Sequence, residues 1–219
     1  DDTTSVGRIF SSRLSYSKGE MVLHLLRFNL GDSIFFKGIR NYLDDTTLAY
    51  RFATTGDFKA HMEIASGKSL GRFFDQWIYG KGYPSYIINW SQDFSNRITI
   101  KIHQEQSDPS VSYFETALPF RIKNALQDTT VVFNNVTNDQ VYTIDLPFAA
   151  DTLQFDPDIW ILSRNNAVIR TSAFHFSFNI YPNPVRDVVQ IRIESKEVRD
   201  AVLKITNVLG QEVLSQKQQ

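Results

Sequence analysis

The feature that most restricts what this chain can fold into is a change of hydrophobic period at Gly80-Lys81-Gly82-Tyr83-Pro84. Ahead of that stretch apolar residues recur every three or four positions, and beyond it they alternate every second one. The two spacings are incompatible, because a helical pattern laid on a pleated strand would put apolar residues on both faces. Helices are therefore expected first and strands second, with the glycines and Pro84 as a stop between them.

In the first part, Met21, Val22, Leu25, Leu26, Phe28 and Leu30 mark one face of a helix from about Ser17 to Leu30, ended by Gly31. A second helix follows at once, with Asp32 or Ser33 offered as its cap and Ile34, Phe35, Ile39, Tyr42 and Leu43 as its stripe. Thr54 or Thr55 would cap a third, with Asp57 in its first turn and Phe58, Met62 and Ile64 or Ala65 buried. Ser69 opens a fourth carrying Leu70, Phe73, Phe74, Trp77 and Ile78. That is more aromatic surface than four short helices cover, so an exposed apolar patch is expected. Residues 1–15 hold one short helix or a loop. Tyr16 stands at the entrance of the first long helix, where a phenol can be aimed at a neighbouring site, and the missing Cβ of Gly19 lets another backbone come close.

From Ser85 the short runs Tyr86–Trp90, Arg97–Ile102, Thr116–Ile122, Thr129–Phe133, Gln140–Leu146 and Thr152–Phe155 predict six or seven strands with no helix between them, an antiparallel sandwich. Asp156-Pro157-Asp158 is a tight turn, and Ile159–Leu162 closes the domain. After a linker, Phe178–Pro184, Val188–Ile193, Ala201–Ile205 and Asn207–Val213 give three or four strands of another β domain, too few for a stable sandwich. The expected organisation is helical over 1–83, β-sandwich over 84–165, linker over 166–175 and an incomplete β domain over 176–219. With Asp1-Asp2-Thr3-Thr4 at its start and a polar, Gln-rich end, the chain reads as the inside of a longer one.

Composition excludes more than it assigns. Twenty-three basic against 24 acidic residues, a net charge of −1, leave no electrostatic footprint for nucleic acid. The absence of cysteine excludes disulfides and thiolate ligands. No stretch approaches the ~18 apolar residues of a membrane span. The four histidines, His24, His61, His103 and His175, fall on separate elements and none opens an HExxH, so each reads as structural. Asn89-Trp90-Ser91 and Asn135-Val136-Thr137 fit the glycosylation sequon but read as turns.

Tyr16-Ser17-Lys18-Gly19, Leu25-Leu26-Arg27, Leu30-Gly31-Asp32, Ala53-Thr54-Thr55-Gly56-Asp57-Phe58, Phe73-Phe74-Asp75-Gln76-Trp77 and Gly82-Tyr83-Pro84, taken in order, resemble the latter part of the catalytic domain in the aminopeptidase N family of gluzincin zinc peptidases. The resemblance covers roughly residues 10 to 165 and implies the helical half of a thermolysin-like catalytic domain followed by an Ig-like β-sandwich. Separately, Tyr181-Pro182-Asn183-Pro184 with Asn207-Val208-Leu209-Gly210 resembles the C-terminal sorting domain of type IX secretion substrates in Bacteroidetes, without its closing strands.

What the resemblance implies attaches to single residues. In that family zinc is held by two histidines of an HExxH helix and a downstream glutamate, and a Gly-x-Met-Glu-Asn segment helps bind the substrate's amine. None of these is present here. The family's catalytic tyrosine falls on Tyr16, whose phenol would donate a hydrogen bond to the oxyanion formed at the scissile carbonyl. The implied protein is a zinc aminopeptidase acting on peptide substrates, secreted or on the bacterial cell surface by way of the periplasm. Zinc and its ligands would lie outside this chain, which would be inactive without an N-terminal catalytic lobe, and the secretion machinery would be a partner of the tail. The rival reading is a non-catalytic surface module on a degenerate peptidase scaffold.

Overall fold

In the computed structural model, described for residues 4–171, 176–181, 184, 186–195 and 201–218, the chain divides into two units, 1–171 and 172–219. The first begins with α1, Val6–Ile9, and a π-helical turn, Ser12–Ser17, neither of which buries a residue. The helix α2, Lys18–Leu30, buries Val22, Leu25, Leu26 and Leu30, and Gly31 ends it with φ +79° while donating its amide to the Arg27 carbonyl at 2.8 Å.

The next helix, α3, spans Asp32–Leu43 and has no side-chain cap. The expectation that Asp32 or Ser33 fills that role is corrected: both carboxylate oxygens of Asp32 accept from Arg27, at 2.8 Å each, a paired charge-assisted bond that outcompetes a neutral amide. By contrast α4, Thr55–Ser66, is capped as expected. Thr54 Oγ1 accepts from the Asp57 amide, and the Asp57 carboxylate accepts from the Thr54 amide at 2.7 Å. Gly38 lets α3 meet α4, because a Cβ there would collide with the Met62 sulfur.

The fourth expected helix is shorter and divided. It comprises α5, Gly71–Phe74, and a second π-helical turn, Asp75–Tyr79. The aromatic stripe divides with it. Leu70 and Phe74 join Leu26, Leu30, Phe35 and Met62 in a helical cluster, whereas Trp77 enters a different core, 4.7 Å from the Phe114 ring.

That second core belongs mainly to the strands. A four-stranded sheet in the order β5-β2-β1-β7 holds β1 (Pro84–Gln92), β2 (Arg97–Gln106), β5 (Gln140–Asp145) and β7 (Ala167–Arg170). A three-stranded sheet in the order β4-β3-β6 holds β3 (Thr116–Lys123), β4 (Asp128–Asn135) and β6 (Thr152–Phe155). Alternate residues point into one core: Tyr86, Ile88 and Trp90 from β1, Ile98, Ile100 and Ile102 from β2, Leu118, Phe120 and Ile122 from β3. Val22, Leu25 and Trp77 of the helices join the same core, so packing runs on across the change of period.

Ile159–Leu162 closes the domain without forming a strand, because the Asp156 carboxylate accepts from the Trp160 and Ile161 amides at 2.8 and 2.9 Å and so removes both from any ladder. Two readings of the strands change. The edge position falls to β7, within the stretch expected as linker. Its pairing with β1 is parallel, so the sheet is not wholly antiparallel. Asn89 lies inside β1 and Asn135 at the fully buried end of β4, rather than in turns.

The second unit contains two antiparallel hairpins. In one, β8 (Phe176–Tyr181) pairs with β9 (Gln190–Ser195); in the other, β10 (Ala201–Thr206) pairs with β11 (Glu212–Gln218). The β10–β11 turn is closed by Asn207 Oδ1, which accepts from the Leu209 and Gln211 amides at 3.0 Å each, with Gly210 at φ +80°. Pro182, Asn183, His175 and residues 172–174 lie outside the described residues.

Candidate active site

Tyr16 sits in the π-helical turn that runs directly into α2. Local bonds shape the turn: the Ser15 hydroxyl donates to the Ile9 carbonyl at 2.6 Å, and Ser11 Oγ accepts from the Leu14 amide at 3.4 Å. The Tyr16 ring is 61% exposed, so burial does not dictate its presence.

Three residues on, Gly19 lines a groove of about 510 Å³ together with Leu23, Tyr42, Leu43, Phe58 and Phe73. A Cβ on Gly19 would meet nothing within 4 Å, so among the described residues no backbone approaches it, contrary to expectation, because it borders this open groove. Leu43 and Ile64 are largely exposed and Tyr50 and Phe52 fully so. A second hollow of about 350 Å³ lies between helices and strands, floored by Leu26 and Phe73 and rimmed by Asn29, Gln76, Glu115 and Thr116.

Lys18 was not singled out from the sequence. Its ammonium donates to the Gly80 carbonyl at 3.1 Å, and burial lowers its pKa. The only advance signals are that Lys18 lies in a quoted motif and Gly80 in the stretch where the hydrophobic period changes.

The histidines do not come together. His24 stacks on Trp160, with ring centroids 4.2 Å apart. His61 lies 3.0 Å from the Asp45 carboxylate, and His103 lies 3.2 Å from that of Asp139. Among the described residues no group of three or more His, Cys, Asp or Glu side chains is gathered where it could hold a metal ion. The residues present therefore do not fit the zinc ion that the resemblance implies. No helix among them is long and apolar enough to cross a membrane.

Comparison with known proteins agrees with both resemblances. Residues 1–77 match the peptidase family M1 domain, and residues 179–219 match the secretion system C-terminal sorting domain. The chain is similar to the alanine/arginine aminopeptidase of Saccharomyces cerevisiae, 30% identical over 147 residues that make up 67% of this chain and 16% of that protein. It is 41% identical over 76 residues, 35% of this chain and 10% of the relative, to the probable aminopeptidase 2 of Sulfurisphaera tokodaii. In fold it resembles Legionella pneumophila aminopeptidase A, solved in complex with aspartic acid, with a TM-score of 0.52 and 15% identity over 65% of this chain and 16% of that one. The chain thus spans about a sixth or less of the length of these relatives.

Proposed function

We propose that this chain, which carries part of a peptidase family M1 domain and a secretion sorting domain, is the C-terminal portion of a zinc-dependent aminopeptidase that removes N-terminal residues from peptides. Its relatives are aminopeptidases that continue far beyond the matched segment, and this supports the reading. Within it, residues 1–83 are the helical half of the catalytic domain and 84–165 the sandwich behind it. Zinc and its ligands belong to an N-terminal lobe that rests on the apolar groove beside α2. The chain by itself is inactive.

The observation that carries the assignment of chemistry is an exposed tyrosine at the head of α2, three residues from that groove and inside the M1-matching segment. Tyr16 donates a hydrogen bond to the oxyanion as the scissile carbonyl is attacked. A phenol carries its own O–H donor, so the bond needs no second group to supply the hydrogen. In the full-length enzyme Tyr16→Phe deletes one oxyanion donor while keeping the ring. It should lower kcat by roughly a hundred- to a thousandfold with KM moving much less. Retention of kcat within about threefold would remove the catalytic role.

The tail, 176–219, addresses the enzyme to the secretion machinery, and so to the cell surface or beyond it. Deleting it should abolish export and leave purified activity nearly unchanged. Export of the truncated protein, followed by activity assays of medium and cells, would refute the assignment.

A further inference from the structure

We propose that Lys18 is a positioning residue for Tyr16, a proposal that rests on the oxyanion reading of that tyrosine: its ammonium pins the start of α2, and so the turn carrying the phenol, to a rigid carbonyl at Gly80.

The segment that presents Tyr16 has no hydrophobic anchor. Neither α1 nor the π-helical turn buries a residue, and the side-chain bonds of Ser11 and Ser15 are local. Among the described residues from Val6 onward, Lys18, two residues after Tyr16, is the first whose side chain bonds a distant element. Its Nζ donates across 62 positions to the Gly80 carbonyl, at 3.1 Å.

The acceptor is held from both sides. The Gly80 amide donates back to the Asp75 carbonyl at 2.7 Å, closing the second π-helical turn. A Cβ on Gly80 would collide with the Val111 side chain and lie 2.5 Å from the Gln76 carbonyl oxygen, so this backbone has no room to shift. Immediately beyond, the Lys81 amide donates to Ser110 Oγ and the Tyr83 amide to Ser107 Oγ, both at 2.9 Å. The carbonyl is therefore fixed to the loop that connects β2 with β3.

Helix stability does not account for this lysine. Partial burial disfavours the charged form of Lys18, so a neutral residue there would spare the helix that cost. The contact exchanges that local cost for a fixed direction, and placement errors of about 1 Å at a reacting group can lower rates by as much as a hundredfold.

The test uses the full-length enzyme with Lys18→Met, Lys18→Arg, Tyr16→Phe and the Lys18→Met/Tyr16→Phe double variant. Lys18→Met should lower kcat on the order of tenfold to a hundredfold, with KM, bound metal and melting temperature held. Lys18→Arg, which still donates, should return kcat to within about threefold of the parent. In the Tyr16→Phe background, Lys18→Met should change the rate by less than about threefold, because no hydroxyl remains to be aimed. If Lys18→Met does not fold, Lys18→Gln, too short to span the gap, carries the same comparison.

An equal loss in both backgrounds, or failure of Lys18→Arg to restore the rate, overturns the proposal while leaving the Tyr16 reading intact. A damaged Tyr16→Phe beside an unaffected Lys18→Met does the same. If Tyr16→Phe is itself as active as the parent, the oxyanion reading has failed and this proposal falls with it.

Discussion

The sandwich and the helical half of the first unit share a core, yet they finish their surfaces differently. In the sandwich, Tyr86, Ile88, Ile98, Ile102, Leu118, Phe120 and Ile122 are fully buried. Polar groups there are also matched: the buried Gln104 amide accepts from the Phe114 amide at 2.8 Å and donates to its carbonyl at 2.9 Å, standing in for a ladder residue. The helical half instead leaves Leu43 exposed in an open groove and Phe52 and Ile64 exposed elsewhere, whereas Phe94 and Leu126 of the sandwich are exposed on turns; among the described residues the buried Trp77 indole nitrogen has no partner. The strand side of the shared core is closed over, whereas the helical side opens a groove, and the proposed chemistry lies on that side.

The largest effect should separate the halves by stability. Phe120 has no exposed surface and lies between Phe133 and Phe155, at centroid distances of 5.9 and 5.6 Å. Phe120→Ala should destabilise the first unit by about 3–5 kcal/mol, since the emptied volume sits in a close-packed core. Phe52→Ser, which removes a ring of comparable size from the helical side, should stay within about 0.5 kcal/mol. Urea denaturation of both variants measures the contrast. Similar losses in the two would erase the distinction between a closed half and an open one.

How much of this was legible depended on the range of the interaction. The period-2 runs place every strand of β1 to β6 to within a few residues, because burial on one face of a sheet is written locally. The Thr54–Asp57 cap was legible for the same reason, its two partners being three residues apart. The rest was hidden where a side chain reaches far or a turn widens. The parallel strand β7 depends on Asp156 first withdrawing the Trp160 and Ile161 amides, and nothing in the run Ile159–Leu162 announces that. The π-helical turn at Asp75–Tyr79 sends Trp77 away from the stripe it shares in sequence with Phe73 and Phe74. At the candidate site Tyr16 came from a motif, whereas the Lys18–Gly80 bond spans 62 positions and has no periodic trace.

A smaller effect should sharpen the comparison by confining itself to one half. Thr54 Oγ1 accepts from the Asp57 amide at 3.3 Å and donates to the Asp57 carboxylate at 2.7 Å, closing the first turn of α4. Thr54→Ala should cost about 1 kcal/mol, and Thr54→Ser should restore most of it. Because α4 packs in the helical cluster through Met62, hydrogen exchange should quicken in α4 while the amides of β1 to β3 keep their protection. Equal quickening in the sandwich would mean that the two halves open together and that the contrast between them is only one of surface.

The smallest effect is a difference in the sign of a pH dependence. In the helical half, Asp57 is held below its usual range chiefly by the Thr54 side-chain hydrogen bond, and Asp45 chiefly by that of Thr47. Carboxylates of this kind add stability that is present above the unfolded value of about 4 and is lost as pH falls through the folded one. Asp156, in the turn after β6, is shifted the other way: partial burial raises it, outweighing the hydrogen bonds from Ile161 and Trp160 that lower it. Between the unfolded value and this higher folded one, the folded state binds the extra proton. Its contribution is therefore full below about pH 4 and lost as pH rises through the folded pKa. Asp156→Asn keeps a side-chain oxygen for one of the two amides and cannot titrate. In urea midpoints taken against pH, the variant should lack the component that weakens the parent as pH rises above about 4, while the acid limb below that value, set by groups such as Asp45 and Asp57, stays unchanged. A variant whose midpoints run parallel to the parent's through that window would show that Asp156 titrates alike in both states, and its opposition of sign to Asp45 and Asp57 would go with it.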